Sequence, residues 1–273
     1  PDRRIDATAS GAYEPKGERV ANVTGAITGR LGEDATFSLS GAVTPGWALS
    51  MAHPDARAAG SIALTVKGVI PLTAAIAGPS ALARAARLNG RIDIDIADAN
   101  VPGVFTTKTA SSVLNFDSHD NTIDVTLLQD LDVQGLTLAP ELAPASVQRV
   151  LNASLTLRAP PSSPFRIENA FNNPVLRLPI GLNAKAPKSH VALPKGATLR
   201  FNHGVSFTEA KIPRVTFQSS DVDIGGSPIT VAGTLENLHL SPDKASGRFR
   251  LSGNGILVQP PVNARLQTTL SGT

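Results

Sequence analysis

Cysteine is absent from the 273-residue chain. Its absence removes disulfides, thiolate metal sites and cysteine nucleophiles, and it suits an extracytoplasmic compartment. Aromatic residues are scarce, 4% with one Trp and one Tyr, which argues against a base-stacking platform and against an outer-membrane barrel with aromatic girdles. No apolar run approaches the roughly 20 residues of a membrane-spanning helix, and no charged-then-apolar signal segment opens the chain. Charge of one sign is lacking too. The 25 Lys+Arg against 22 Asp+Glu leave +3, too little for a phosphate-binding surface, so nucleic acid is not an expected partner.

What is present is aliphatic. Hydrophobic residues reach 41% and charged residues 17%, enough apolar material to fold. The 23 Gly and 21 Pro are scattered along the chain, as in an all-β protein with many turns. The chain opens on Pro1, and Leu266 to Thr273 still read as strand; a piece of a longer protein is expected.

Period-two alternation recurs along the sequence and predicts half-buried antiparallel strands. Ile62, Leu64 and Val66 alternate with Ser61, Ala63, Thr65 and Lys67. The same rhythm runs through Ile92, Ile94 and Ile96, then Ile123, Val125 and Leu127. Leu176, Leu178, Ile180 and Leu182 read as one further strand, and Val222, Ile224, Phe249 and Leu251 continue the pattern. Turn-forming clusters punctuate it at Asp117 to Asn121, Gly225-Gly226-Ser227-Pro228 and Ser241-Pro242-Asp243, so consecutive strands suggest a meander. Ala159 to Pro164 is either a boundary between two units or one long hairpin loop.

Two short helices are predicted as caps on the sheet. Ser80 to Leu88 follows Pro79 and stops at Asn89-Gly90, a helix exit; Pro144 to Leu151 carries Val147, Val150 and Leu151 at helical spacing. A weak echo places Gly after an apolar and a small or polar residue, as at Leu39-Ser40-Gly41, Val66-Lys67-Gly68 and Val231-Ala232-Gly233. Such glycines either bend strands or mark ordinary turns.

The sequence offers no catalytic signature. Gly253-Asn254-Gly255 begins a G-x-G-x-x-G but has Val258 at its third position, and reads as a turn between strands. Asp117, His119 and Asp120 could ligate a metal but suit a hairpin tip better. Asp93/Asp95 and Asp221/Asp223 project pairwise from a strand face and read as solvated. No enzyme, metal or cofactor is expected. The aliphatic face remains: if the sheet closes, it is a core; if not, it is an open trough able to hold acyl chains at about 0.8 kcal/mol per buried methylene.

Gly-punctuated amphipathic strands such as Ser61-Ile62-Ala63-Leu64-Thr65-Val66-Lys67-Gly68, Val215 to Ile224 and Ile229 to Leu240 resemble the AsmA-like envelope proteins, most closely the YdbH-like members. The resemblance covers nearly the whole chain, through texture and no invariant motif. It implies a long, strongly curved antiparallel sheet forming a U-shaped hydrophobic groove, residues 1–273 being one elongated segment. It further implies phospholipid as cargo, a periplasmic location, an inner-membrane anchor N-terminal to this chain, and a small outer-membrane lipoprotein engaged by strand addition. A structural or adhesive surface β-sandwich or β-solenoid is the alternative expectation.

Overall fold

In a computed structural model the backbone is described for residues 4–15, 20–30, 33–50, 53–71, 81, 85–140, 154–170, 173–202, 206–224, 227–258 and 261–272; side chains at 221–229, 245, 249 and 251–272 are outside the description. Among these residues the chain forms one 18-stranded sheet, and every neighbouring pair runs antiparallel. The all-β class follows from the alternation, since side chains of period two supply one apolar and one polar face to each strand.

Seven long strands open the chain as a meander: β1 (Arg4–Tyr13), β2 (Ala21–Arg30), β3 (Asp34–Val43), β4 (Arg57–Pro71), β5 (Arg87–Val101), β6 (Phe105–His119) and β7 (Thr122–Gln134). A two-residue β8 (Thr137–Leu138) pairs with β6. Four more long strands end it: β15 (Phe207–Ile224), β16 (Ser227–Ser241), β17 (Lys244–Val258) and β18 (Pro261–Gly272). Between the two meanders the sheet divides. β7 pairs through residues 122–125 with β10 (Phe165–Glu168) and through 131–134 with β9 (Ser154–Arg158). From β10 a column of short strands continues through β11 (Val175–Leu178) and β14 (Ala197–Phe201) to β15; from β9 a second column continues through β12 (Leu182–Ala186) and β13 (Ser189–Leu193) to the same strand. Residues 159–164 connect β9 to β10, and both strands pair with β7.

The seam between the columns is crossed by Pro/Gly turns that lie against one another. Ser163 Oγ accepts the Ile180 N–H at 2.8 Å, and the Gly181 and Gly196 N–H groups both donate to the Leu193 carbonyl. Gly196 has φ +65°, and a Cβ there would meet the Leu178 carbonyl oxygen at 2.6 Å, so glycine is required on both counts. Under this seam lies the best-buried cluster: Leu127, Ala159 and Leu182, packed by Leu114, Leu157, Phe165, Leu178 and Leu193.

Elsewhere burial is partial. The chain exposes 16777 Å², about one and a half times the roughly 11200 Å² that surface-to-mass scaling gives a compact monomer of this mass. A single layer with both faces reaching solvent accounts for the difference.

Several elements depart from expectation. Leu176 to Leu182 are not one strand: β11 ends at Leu178, Pro179 to Gly181 turn across the seam, and Leu182 opens β12. Pro179 has no N–H for a ladder and Gly181 takes φ +77°, so the pattern breaks there despite its alternation. Gly253-Asn254-Gly255 lies inside β17, paired with β16 and β18, and is not a turn. Asn89-Gly90 is not a helix exit but the middle of β5's start, where Arg87 and Leu88 are already strand; Ala81 and Ala85 have helical backbone, and the rest of Ser80 to Ala86 apart from Ala86 lies outside the described residues, as does Pro144 to Leu151. A helix not anticipated, α1 (Pro45–Ser50), follows β3. Its signal is present in the sequence: Thr44 precedes Pro45, a preferred first-turn residue, and the Ala48 N–H donates to the Thr44 carbonyl at 3.1 Å. The hairpin at Asp117 to Asn121 is tighter than its composition suggests. The strand runs on to His119, and only Asp120 and Asn121, φ +46° and +64°, make the turn, a geometry matching the strand twist.

Alternation is also reset inside β15 and β16. Ile212 opposes Leu238 and Arg214 opposes Glu236, with Pro213 and Asn237 (φ +52°) standing between them. Before this point Ala210 and Leu240 lie in register with Leu199 of the aliphatic face; beyond it Phe217 and Gly233 hold the same face.

Candidate functional site: the aliphatic face

Directly opposed residues of antiparallel strands share a face, so the register traces each face across the sheet. One row runs Gly11, Val23, Gly41, Leu64, Ile92, Leu114, Leu127. A second runs Leu39, Val66, Gly90, Phe116, Val125, Phe165. A third runs Ile123, Ile167, Leu176, Leu199, Ala210, Leu240. Ile62 opposes Ile94, Ile96 opposes Ala110, and Leu178 opposes Ala197. Ile62, Leu64, Val66, Ile92, Ile94, Ile96, Ile123, Val125, Leu127, Leu176 and Leu178 therefore stand on one face. Of the remaining candidates, register sets Val222 opposite Ile229, Ile224 opposite Ser227, Phe249 opposite Leu235 and Leu251 opposite Gly233. Ile180 does not join them: it sits in the seam turn, 63% exposed.

Most residues of this face are half-buried; Val66 at 9% and Leu127 at 8% are the most covered of the candidates. Its polar members are few. Ser112, opposite Ile94, donates its hydroxyl to the Gln129 carbonyl at 2.9 Å, which hides its polarity from the face. Three phenylalanines lie across from glycines: Phe37 from Gly68, Phe116 from Gly90, and Phe217 from Gly233. A Cβ would stand 2.9 Å from Phe37 Cε1 at Gly68, 2.5 Å from Phe116 Cε1 at Gly90, and 2.7 Å from Phe217 Cε1 at Gly233. Each ring covers its glycine. At Gly68 and Gly233 the echo of glycines is thus a packing device within strands, which reading them as turns misses; Phe37, Phe116 and Phe217 are the face residues that a search for short aliphatic alternation overlooks.

The opposite face is ionic. Arg166 holds Asp124 through two bonds of 2.7 and 2.8 Å, and Arg177 holds Glu168 at 2.6 and 2.9 Å. Glu209 meets Arg200 and Lys211, each at 3.2 Å, and His239 at 2.7 Å. Arg91 grips Asp93 two residues along β5 at 2.7 Å, so that pair is solvated and structural. The Arg177 hydrogen bond, helped by the charges of Arg166 and Arg200, holds the Glu168 carboxyl below its ordinary 4.5. A carboxylate with a depressed folded-state pKa contributes stability that is present above 4.5 and lost as pH falls through the lowered value. Glu168→Gln is therefore expected to flatten the fall of the thermal midpoint between neutral pH and acid, with a modest loss at neutral pH because the pair is partly exposed; melts followed by circular dichroism across pH check it.

Asp117 Oδ1 lies 3.4 Å from His119 Nδ1, and among the described residues no three His, Asp or Glu side chains gather into a metal site. Nor is any described helix long and apolar enough to cross a membrane. Chemically, then, the arrangement offers a large aliphatic surface backed by a charged one. No family model, no curated protein and no solved structure matches this chain.

Proposed function

We propose that the chain is a segment of an envelope lipid-transfer bridge: a non-enzymatic half-pipe in the periplasm of a Gram-negative cell, whose aliphatic face carries phospholipid acyl chains. The observation that carries this reading is the register-continuous aliphatic face of a single-layer sheet. Along one column the backbone pairing that carries this face spans fourteen strands from β1 to β18, about 60 Å at 4.8 Å per strand. Ten methylenes covered by such a surface gain roughly 8 kcal/mol. The ionic ladder on the other face keeps that side wet. A sandwich needs a second packed sheet and a solenoid needs parallel coils; one antiparallel sheet with an excess of exposed surface weighs against both. The inner-membrane anchor and the outer-membrane lipoprotein partner belong to the same proposal through the family resemblance.

Purified protein analysed by native mass spectrometry should carry phospholipid. Leu64→Asp and Ile94→Lys should leave the circular dichroism spectrum intact and strip that lipid, because an open face lets the new charge reach water. Unfolding by either change would instead reveal a closed core, where an unpaired charge is very costly.

A further inference from the structure

The one Trp and the one Tyr of the chain meet at the tips of the first strands. Their ring centroids lie 5.8 Å apart at an interplanar angle of 54°, although Tyr13 closes β1 and Trp47 stands in α1. Register fixes the side on which they meet. Tyr13 opposes Ala21, Ala21 opposes Val43, Val43 opposes Ile62 and Ile62 opposes Ile94, so Tyr13 belongs to the aliphatic face and α1 brings Trp47 to that side. The helix is fastened there. Pro45 is fully buried, and a Cβ on Gly46 would meet the Ala58 carbonyl oxygen at 2.8 Å, so the backbone of α1 presses on the start of β4. The Thr44 N–H donates to the Val20 carbonyl and the His53 N–H to the Leu49 carbonyl, each at 2.9 Å, and Ser50 Oγ donates to the Trp47 carbonyl at 2.8 Å. Six residues form no stable helix alone; these contacts hold Trp47 in place.

Each ring has an apolar body and one polar tip. Among the described residues neither the Tyr13 hydroxyl nor the Trp47 indole N–H has a hydrogen-bond partner, so two donors remain where the aliphatic face reaches the strand tips. We infer that Tyr13 and Trp47 seat the glycerol-ester end of a phospholipid, with its acyl chains lying over the aliphatic face beyond them. The inference rests on the lipid-carrying reading and adds an orientation to it. The rings cover the first methylenes and the two donors face the ester carbonyls, as these side chains do at a membrane–water boundary. The row of Leu39, Val66 and Phe116 lies about 13 Å further along the strands and takes the distal methylenes.

Trp47 is the sole source of tryptophan fluorescence in the chain, so the unaltered protein is its own probe. The protein is loaded with phosphatidylethanolamine brominated either beside the ester end or near the methyl end of one acyl chain, and native mass spectrometry counts the lipid bound. The ester-end bromines should quench Trp47 about twofold more than the methyl-end bromines, because the indole sits at the ester level. Bound lipid that quenches equally from both positions, or more from the methyl end, overturns the seat and leaves the lipid-carrying reading standing. Bound lipid without quenching does the same. Absence of bound lipid overturns both.

Discussion

Leu127→Ala should lower the free energy of unfolding by about 2–5 kcal/mol, the range for a buried leucine whose site does not collapse. Leu127 is 8% exposed and meets Ala159 and Leu182 with Leu114, Leu157, Phe165, Leu178 and Leu193 around them. Those partners come from both columns and from the meander before them, so the cavity would open where the divided part of the sheet is held together. Leu64→Ala, on the same face but half-buried, should cost less than about 2 kcal/mol, because less area returns to water. Urea titrations with unchanged slope would separate the two. Equal losses at both positions would show that the seam is no better packed than the rest of the face.

Gly90→Ala should destabilise by about 1–3 kcal/mol through overpacking, although alanine ordinarily improves on glycine in a strand by lowering the entropy of the unfolded chain. The new Cβ would press on Phe116 and on the Thr65 carbonyl oxygen, and the latter is backbone already held in a ladder. Gly25→Ala is the control. Its Cβ would find only the Ser38 carbonyl oxygen at 3.5 Å, an ordinary contact, so the change should fall within about 0.5 kcal/mol or stabilise. Thermal melts of the two variants decide the point: similar midpoints would mean that the Phe116 ring does not stand over Gly90.

The sheet and its aliphatic face were legible because branched aliphatics at period two leave few alternatives. Ile92, Ile94 and Ile96 beside Arg91, Asp93 and Asp95 can bury one side only as a strand. What local sequence could not convey was which short pattern belongs to which strand. Leu176 to Leu182 alternates without interruption, yet Pro179 and Gly181 carry the chain over to another column. Gly253-Asn254-Gly255 and Asn89-Gly90 have turn chemistry but sit between two neighbours that hold them extended. In both cases pairing on either side outweighs a local preference of about 1 kcal/mol. Strands β1 to β3 interleave Ala9, Gly11, Gly25 and Gly41 with Ile5, Val23, Phe37 and Leu39 on the face, and the small residues interrupt the apolar stripe.

The resets at Pro213 and Asn237 bear on how such a sheet can change length. Each strand holds one residue more than strict alternation requires, and the two surplus residues face each other. The next strand, β17, has no residue to match Asn237: its register to β16 shifts between Glu236 and His239, and pairing continues on both sides of the shift. A single extra residue in a long strand is thus taken up as a local bulge against its neighbour, and the long strands can change length one residue at a time.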